Sequence, residues 1–121
     1  SATFRGGRDG HFQINATING SDIRTIFDTG ASAVVLTHDD AQKAGYATDT
    51  LRYDISVSTA NGTGKAAAVT LDQVEVGGIV RNNVRAFIAE QGALETSLLG
   101  MTFLGTLTRY AVSGNALELV D

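Results

Sequence analysis

The chain has 121 residues, of which 43% are hydrophobic and 18% are charged, and these values predict one globular domain spanning residues 1–121. A formal charge of −4 without any basic run argues against a nucleic-acid partner. The absence of cysteine excludes disulfides and thiol chemistry, and two histidines far apart in sequence give no pattern for a zinc site.

Alternating apolar and polar residues, interrupted by Gly and Asn, predict β-strands along most of the chain. The first strand runs from Phe12 to Ile18, and Asn19-Gly20 after it is typical of a tight hairpin turn. The return strand spans Ile23 to Phe27 and stops at Asp28-Thr29-Gly30. A short apolar run, Ala33 to Leu36, then predicts a buried strand.

One helix is predicted directly after this strand. Thr37 is a good N-cap, Asp39 and Asp40 fall in the first turn, Lys43 falls in the last, and Gly45 suits the position after the C-cap. Acidic residues in a first turn interact favourably with the helix dipole, which explains this pair better than a metal site does.

The second half of the chain predicts further short strands. A long hairpin is indicated by the alternation over residues 53–59, the Asn61-Gly62 pair after it, and a return strand over residues 66–71. Residues 89–97 indicate a polar loop. Met101 to Leu107 is compatible with a short helix or a continued strand. Other strands are predicted at residues 74–76, 84–88, 110–112 and 117–120. This spacing favours a barrel or a sandwich over a parallel sheet.

The segment most informative about chemistry is Asp28-Thr29-Gly30, which follows an apolar strand. Such a position suits a carboxylate held forward on a tight loop, with Gly30 allowing close approach of backbone amides and Thr29 offering a hydroxyl. Because Asp, Thr and Gly all favour turns, the residues alone also allow an ordinary turn in which Asp28 has no chemical role.

This segment resembles the active-site loop of aspartic proteases. Leu98-Leu99-Gly100 resembles the second half of that family's signature, and Met101 to Leu104 the short helix that follows it. The hairpin from Ser58 to Val69 takes the place of the flap, although Asn61-Gly62 is also compatible with an ordinary hairpin turn. The resemblance extends from Phe12 to Val120 and is strongest to the retroviral-type, or retropepsin-like, branch.

The resemblance implies an all-β fold, a small closed β-barrel of the retropepsin type with one or two short helices. It implies that Asp28, Thr29 and Gly30 form the catalytic loop. The implied substrate-binding residues are those next to this loop and at the tip of the hairpin: Ala31, Ser32, Ala60, Asn61, Gly62, Thr63 and Gly64. Ala31 stands where pepsin-like enzymes often carry Ser, which favours the retroviral-type branch. The tip of the hairpin also differs from pepsin-type flaps, because it lacks their Tyr and is small and Gly-containing instead.

The resemblance also implies an endopeptidase with two aspartates. Hydrolysis by this chemistry uses two adjacent carboxyl groups that share a proton, and it requires neither a metal nor another cofactor. Since this chain has one Asp-Thr-Gly, a symmetric homodimer would place Asp28 beside its own copy. In retroviral enzymes the terminal strands form the interface, here Thr3 to Phe12 and Ala116 to Asp121.

Two other functions are compatible with the sequence: a dimeric module that binds polypeptides without cutting them, and an unrelated small barrel that binds a small ligand. The second leaves the order of Asp-Thr-Gly and Leu-Leu-Gly unexplained. Within the branch, the chain is most similar to bacterial members, in which the domain follows an N-terminal membrane segment and faces the periplasm. We therefore expect this domain at the periplasmic face of a bacterial inner membrane, in a membrane-anchored parent protein.

Overall fold

The computed structural model describes residues 1–7, 11–59 and 62–121. Within these ranges it contains ten β-strands, two α-helices and one turn of 3₁₀ helix at Thr48–Thr50. The helices are α1 (His38–Lys43) and α2 (Met101–Leu104). The strands are β1 (Ala2–Arg5), β2 (Gln13–Ile18), β3 (Ser21–Phe27), β4 (Val34–Leu36), β5 (Ile55–Thr59), β6 (Gly62–Val76), β7 (Ile79–Ala89), β8 (Ser97–Leu99), β9 (Arg109–Ser113) and β10 (Ala116–Val120).

Six of these strands close into a barrel in the order β2-β3-β8-β4-β7-β6, and pairing of β6 with β2 closes the ring. Strand β8 lies parallel to β3 and antiparallel to β4, so it passes between the strand before Asp28 and the strand after it. Strand β5 pairs with β6 outside the ring. The predicted all-β fold, a small closed barrel with short helices, is confirmed.

The barrel interior is filled by the residues that alternate toward it along each strand. In β2, Ile14, Ala16 and Ile18 are at most 1% exposed, and the residues between them face outward. This period of two fixes the register, because a shift by one residue would expose the whole apolar set. Phe103 and Leu104 of α2 close one part of the core and are fully buried.

The predicted hairpin is present, but its return strand is longer than expected. Residues 66–71 and 74–76 belong to one strand, β6, which begins at Gly62 and ends at Val76. The exposed pair Asp72-Gln73 does not interrupt it, because the pairing with β7 resumes at Gln73 opposite Asn82. Asn83 adopts a φ of 55° at this irregularity.

The helices agree with the capping pattern. Thr37 is the N-cap of α1, and its side chain accepts a hydrogen bond from the backbone N–H of Asp40 (3.0 Å). Gly45 has a φ of 97°, as expected just after the end of a helix. Residues 101–104 form helix α2, so the helical alternative is correct there. In the described part of the chain, neither helix is long and apolar enough to cross a membrane.

The chain termini form a separate sheet in the order β1-β10-β9. Strand β10 lies between the other two, with Leu117 and Leu119 fully buried against the barrel. The two expected interface segments therefore pair within one chain, over Ala2–Arg5 and Ala116–Val120, and the edges of this sheet are β1 and β9. Residues 8–10 of the first segment lie outside the described residues.

Candidate active site

Asp28 is the first residue after β3, and the neighbouring strand β8 fixes its position. The backbone N–H of Asp28 donates to the carbonyl of Leu99 (3.1 Å), which continues the pairing of the two strands by one residue. Leu99 is fully buried, so this anchor rests on the core of the barrel. Asp28 itself is half-buried and directly follows the last residue of β3.

The loop holds one carboxylate oxygen of Asp28 through the backbone. The N–H of Gly30 donates to Oδ1 of Asp28 (2.9 Å), and the N–H of Ala31 donates to the carbonyl of Asp28 (3.3 Å). A Cβ on residue 30 would lie 3.2 Å from Oδ1, so a larger side chain would press on the carboxylate. No other described residue hydrogen-bonds the Asp28 side chain, which leaves Oδ2 open.

Gly100 allows the loop after Asp28 and the start of α2 to lie against each other. The N–H of Met101 donates to the carbonyl of Ala31 (2.9 Å), and the N–H of Val34 donates to Oγ1 of Thr102 (2.9 Å). Gly100 has a φ of −99°, so it is required for space rather than for an unusual backbone conformation. The Leu98-Leu99-Gly100 segment therefore has a structural role, which is to hold the Asp28 loop in place.

An aromatic group supports the loop from the terminal sheet. The ring of Phe27 lies edge-on to Phe12, with centroids 6.3 Å apart, and edge-on to Tyr110 of β9, with centroids 5.6 Å apart. The hydroxyl of Tyr110 also contacts Sδ of Met101 (3.8 Å). Both the residue before Asp28 and the residue after Gly100 therefore contact Tyr110, which couples the terminal sheet to the loop.

A cavity of about 370 Å³ opens beside Asp28. Its walls combine apolar side chains with polar ones: Ile26, Phe27, Leu94 and Leu98, with His11, Glu95 and Thr96. His11 is exposed and lies at this cavity. Besides Asp28, Glu95 is the carboxylate that the described residues place at its wall.

A cavity of about 270 Å³ lies under the hairpin of β5 and β6. The predicted residues Gly62, Thr63 and Gly64 line it on the hairpin side. The facing wall is mostly apolar and comprises Val35, Ala89, Ala93 and Leu94. Leu94 lines this cavity as well as the one beside Asp28, so the two are neighbours that share one side chain.

The predicted site residues fall into two groups, those of the Asp28 loop and those at the tip of the hairpin. Asp28, Thr29, Gly30, Ala31 and Ser32 form one loop, in which Thr29 and Ser32 are exposed and Ala31 is buried. Thr29 makes no hydrogen bond through its side chain to any described residue. Ala60 and Asn61 lie outside the described residues. The catalytic and substrate-binding roles of all these residues stay predictions.

The loop over residues 90–96 contains the residues that sequence reasoning missed. Leu94 is its one large apolar side chain, and that isolated leucine in a polar loop was the available signal. It packs against an apolar cluster formed by Ala31, Val35, Ala89 and Leu98. Glu90 and Glu95 carry no comparable signal, because exposed acidic residues are usual in loops.

Comparison with known proteins agrees with this geometry. Residues 14–106 match the family model described as gag-polyprotein putative aspartyl protease. A crystal structure of a retropepsin-like aspartic protease from Rickettsia conorii is 38% identical, with a TM-score of 0.87 over 98% of this chain and 88% of that chain. The EIAV protease complexed with the inhibitor HBY-793 is 18% identical, with a TM-score of 0.67 over 88% of this chain and 97% of that one, a likeness of fold alone.

Two longer bacterial proteins are also similar. An uncharacterized protein in the cobV 5′ region of Sinorhizobium is 43% identical over 113 residues, and one from Rickettsia prowazekii is 40% identical over 111 residues. These matches cover 93% and 92% of this chain. The chain spans only 48% and 47% of the lengths of these relatives.

Proposed function

The chain belongs to the retropepsin-like aspartic protease family, and on that premise we propose that it is an endopeptidase whose active site contains Asp28 from each of two chains. The observation that carries the proposal is the state of the Asp28 carboxylate. Its Oδ1 is held by the N–H of Gly30, its Oδ2 has no partner among the described residues, and Asp28 lines a cavity. That arrangement leaves Oδ2 available to a second carboxyl group, to water and to substrate.

A second copy of Asp28 is the simplest source of the second carboxyl group. Among the residues that the structure describes, the other carboxylate at the cavity beside Asp28 belongs to Glu95, which is exposed on a loop rather than held at a strand end. A two-fold axis near Asp28 would instead bring together two identical loops, each hydrogen-bonded to β8 and α2 of its own chain. Thr29, exposed and without a side-chain partner within the described chain, would then be free to hydrogen-bond across that axis.

The proposed chemistry follows from two carboxyl groups that share one proton. At close distance both cannot ionise, so one acts as base and the other as acid. The carboxylate removes a proton from water as the water oxygen attacks the scissile carbonyl carbon. The acid protonates the carbonyl oxygen, and the amide nitrogen receives a proton as the C–N bond breaks. The backbone N–H of Gly30 stabilises the carboxylate throughout.

We propose that the substrate binds in an extended conformation between the hairpin and the Asp28 loop. Strand β5 and the first residues of β6 form a two-stranded ribbon that can pair with an extended chain. The cavity under the hairpin, of about 270 Å³ and with a mostly apolar wall, suits one apolar side chain of the substrate. The cavity beside Asp28 would receive a neighbouring one.

The activity should fall as the pH rises above neutrality. The pair requires one proton between two carboxyl groups, so removing it leaves no acid to protonate the carbonyl oxygen. We expect an acidic to near-neutral optimum, measured as kcat/KM for a fluorogenic peptide between pH 3 and pH 9. A chelator should change nothing, whereas a peptide mimic with a hydroxyl at the scissile position should inhibit. A rate that still increases at pH 9 would contradict the shared-proton mechanism.

We further propose that the parent protein is anchored in a bacterial inner membrane with this domain in the periplasm. Similarity to proteins of two bacteria supports a bacterial setting, and those relatives are about twice as long as the matched region. The test is digestion of the domain by added protease in spheroplasts with an intact inner membrane. Protection of the domain under conditions that digest a periplasmic marker would contradict this placement.

A further inference from the structure

The base of the hairpin contains a side-chain hydrogen bond where a strand pair would normally use the backbone. The pairing of β6 with β7 ends at Ala66 opposite Ala89, and the next pair in register would be Lys65 opposite Glu90. The N–H of Glu90 does donate to the carbonyl of Lys65 (3.1 Å), as the ladder requires. The reciprocal bond goes elsewhere: the N–H of Lys65 donates to Oε1 of Glu90 (3.4 Å).

The backbone carbonyl of Glu90 is hydrogen-bonded within the next turn instead. It accepts from the N–H of Ala93 (3.1 Å), which directs the chain into the loop over residues 90–96. The Glu90 carboxylate therefore takes the place of its own carbonyl. One residue ends the strand pair and begins the loop that carries Leu94.

Lys65 is bonded on its other side as well. Its Nζ donates to Oγ of Ser56 (3.1 Å), the residue opposite it on β5. The backbone of Lys65 thus joins the hairpin to Glu90, while its side chain joins the two strands of the hairpin. The registered pairing of β6 with β7 ends at Ala66, whereas its pairing with β5 continues over residues 62–65.

We infer that Glu90 is a positioning residue, which fixes the distance between the hairpin and the cavity beneath the hairpin. The inference rests on the proposed function, in which that hairpin closes on the substrate. Glu90 and Lys65 both line the cavity under the hairpin, and Gly64 lies near Ala93, with 3.6 Å between an added Cβ and the Ala93 Cβ. Loss of the Glu90 carboxylate would free the amide of Lys65 and weaken the link between the hairpin and the loop, where the bond from the N–H of Glu90 to the carbonyl of Lys65 would remain.

Amide hydrogen exchange of the purified protein tests the inference without any substrate. In Glu90→Ala, exchange at Lys65 should be about tenfold faster, because the amide loses its acceptor. Glu90→Gln keeps an oxygen at the same place and should restore slow exchange. Gln91→Ala, the exposed neighbour on the same loop, is the matched control. Equal exchange at Lys65 in Glu90→Ala and wild type would overturn the inference, and so would faster exchange spread evenly along the whole of β6.

Peptide hydrolysis supplies the second readout. Glu90→Ala should lower kcat/KM about tenfold, mainly through a higher KM, while Glu90→Gln should stay within about twofold of wild type. A fall in kcat alone would contradict a positioning role. If wild type shows the slow Lys65 exchange but cuts no peptide, the proposed function fails while the role of Glu90 at the hairpin base stands.

Discussion

Asp28→Asn should reduce peptide hydrolysis about 1000-fold or more and leave the barrel intact. Asn matches Asp in size, and its Oδ1 can still accept from the N–H of Gly30, so the loop keeps its backbone hydrogen bond. A carboxamide can act neither as the base that removes a proton from water nor as the acid that protonates the carbonyl oxygen, and loss of a general acid or base typically costs 10²–10⁴-fold in rate. Circular dichroism and thermal unfolding of the same sample would confirm that the fold is retained.

The matched control for this variant is Asp22→Asn. It removes the same charge near the other end of β3, where Asp22 is exposed and accepts from the hydroxyl of Thr17 (3.3 Å). We expect its activity to stay near that of wild type. Hydrolysis by well-folded Asp28→Asn at a tenth of the wild-type rate or more would exclude Asp28 from the chemistry.

The methyl group added by Gly100→Ala should destabilise the protein more than any other single methyl group added in this region. A Cβ at this position would overlap the carbonyl oxygen of Ala33 and lie 2.6 Å from its carbonyl carbon and 2.8 Å from the oxygen of Ala31. These are backbone atoms of the segment after Asp28, so they cannot move aside by a rotamer change. We expect a loss of about 3 kcal/mol in the free energy of unfolding, with a Tm lower by about 10 °C.

Gly64→Ala is the control for an added methyl group. Its new Cβ would meet only the Ala93 Cβ, at 3.6 Å, an ordinary contact distance. The free energy of unfolding, measured by denaturant titration, should therefore change by less than about 1 kcal/mol. Comparable losses in the two variants would show that the close packing at Gly100 is not what holds the Asp28 loop.

Local signals predicted the parts of the fold that depend on neighbouring residues. Alternation identified β2 and β3, and Asn19-Gly20 identified the turn between them, where both residues have positive φ values of 51° and 85°. Thr37 and Gly45 predicted both ends of α1. Asp-Thr-Gly and Leu-Leu-Gly predicted which segments meet at the site, because their order matches a known family.

Features that depend on distant partners were beyond local reasoning. No local pattern within Ser97–Leu99 indicates that this strand lies between β3 and β4, because its pairing partners depend on the packing of the whole barrel. The continuity of β6 across Asp72-Gln73 depends on β7 beside it. The position of Glu90 follows from where the pairing of β6 and β7 ends, which no short pattern encodes.

The shared active site is tested most directly by mixing and dilution of wild type and Asp28→Asn. If each site contains one Asp28 from each chain, excess Asp28→Asn should inhibit wild type, because mixed dimers carry one ionisable partner. Activity per chain should also fall when the protein is diluted below the dimer dissociation constant. An excess of substrate should restore it, because substrate that binds the dimer shifts the equilibrium toward the dimer. Sedimentation of the same samples should show dimer where activity is found. The contradicting result would be constant activity per chain in samples that sediment as monomer, with no inhibition by added Asp28→Asn. Glu95 would then be the next candidate for the second carboxyl group.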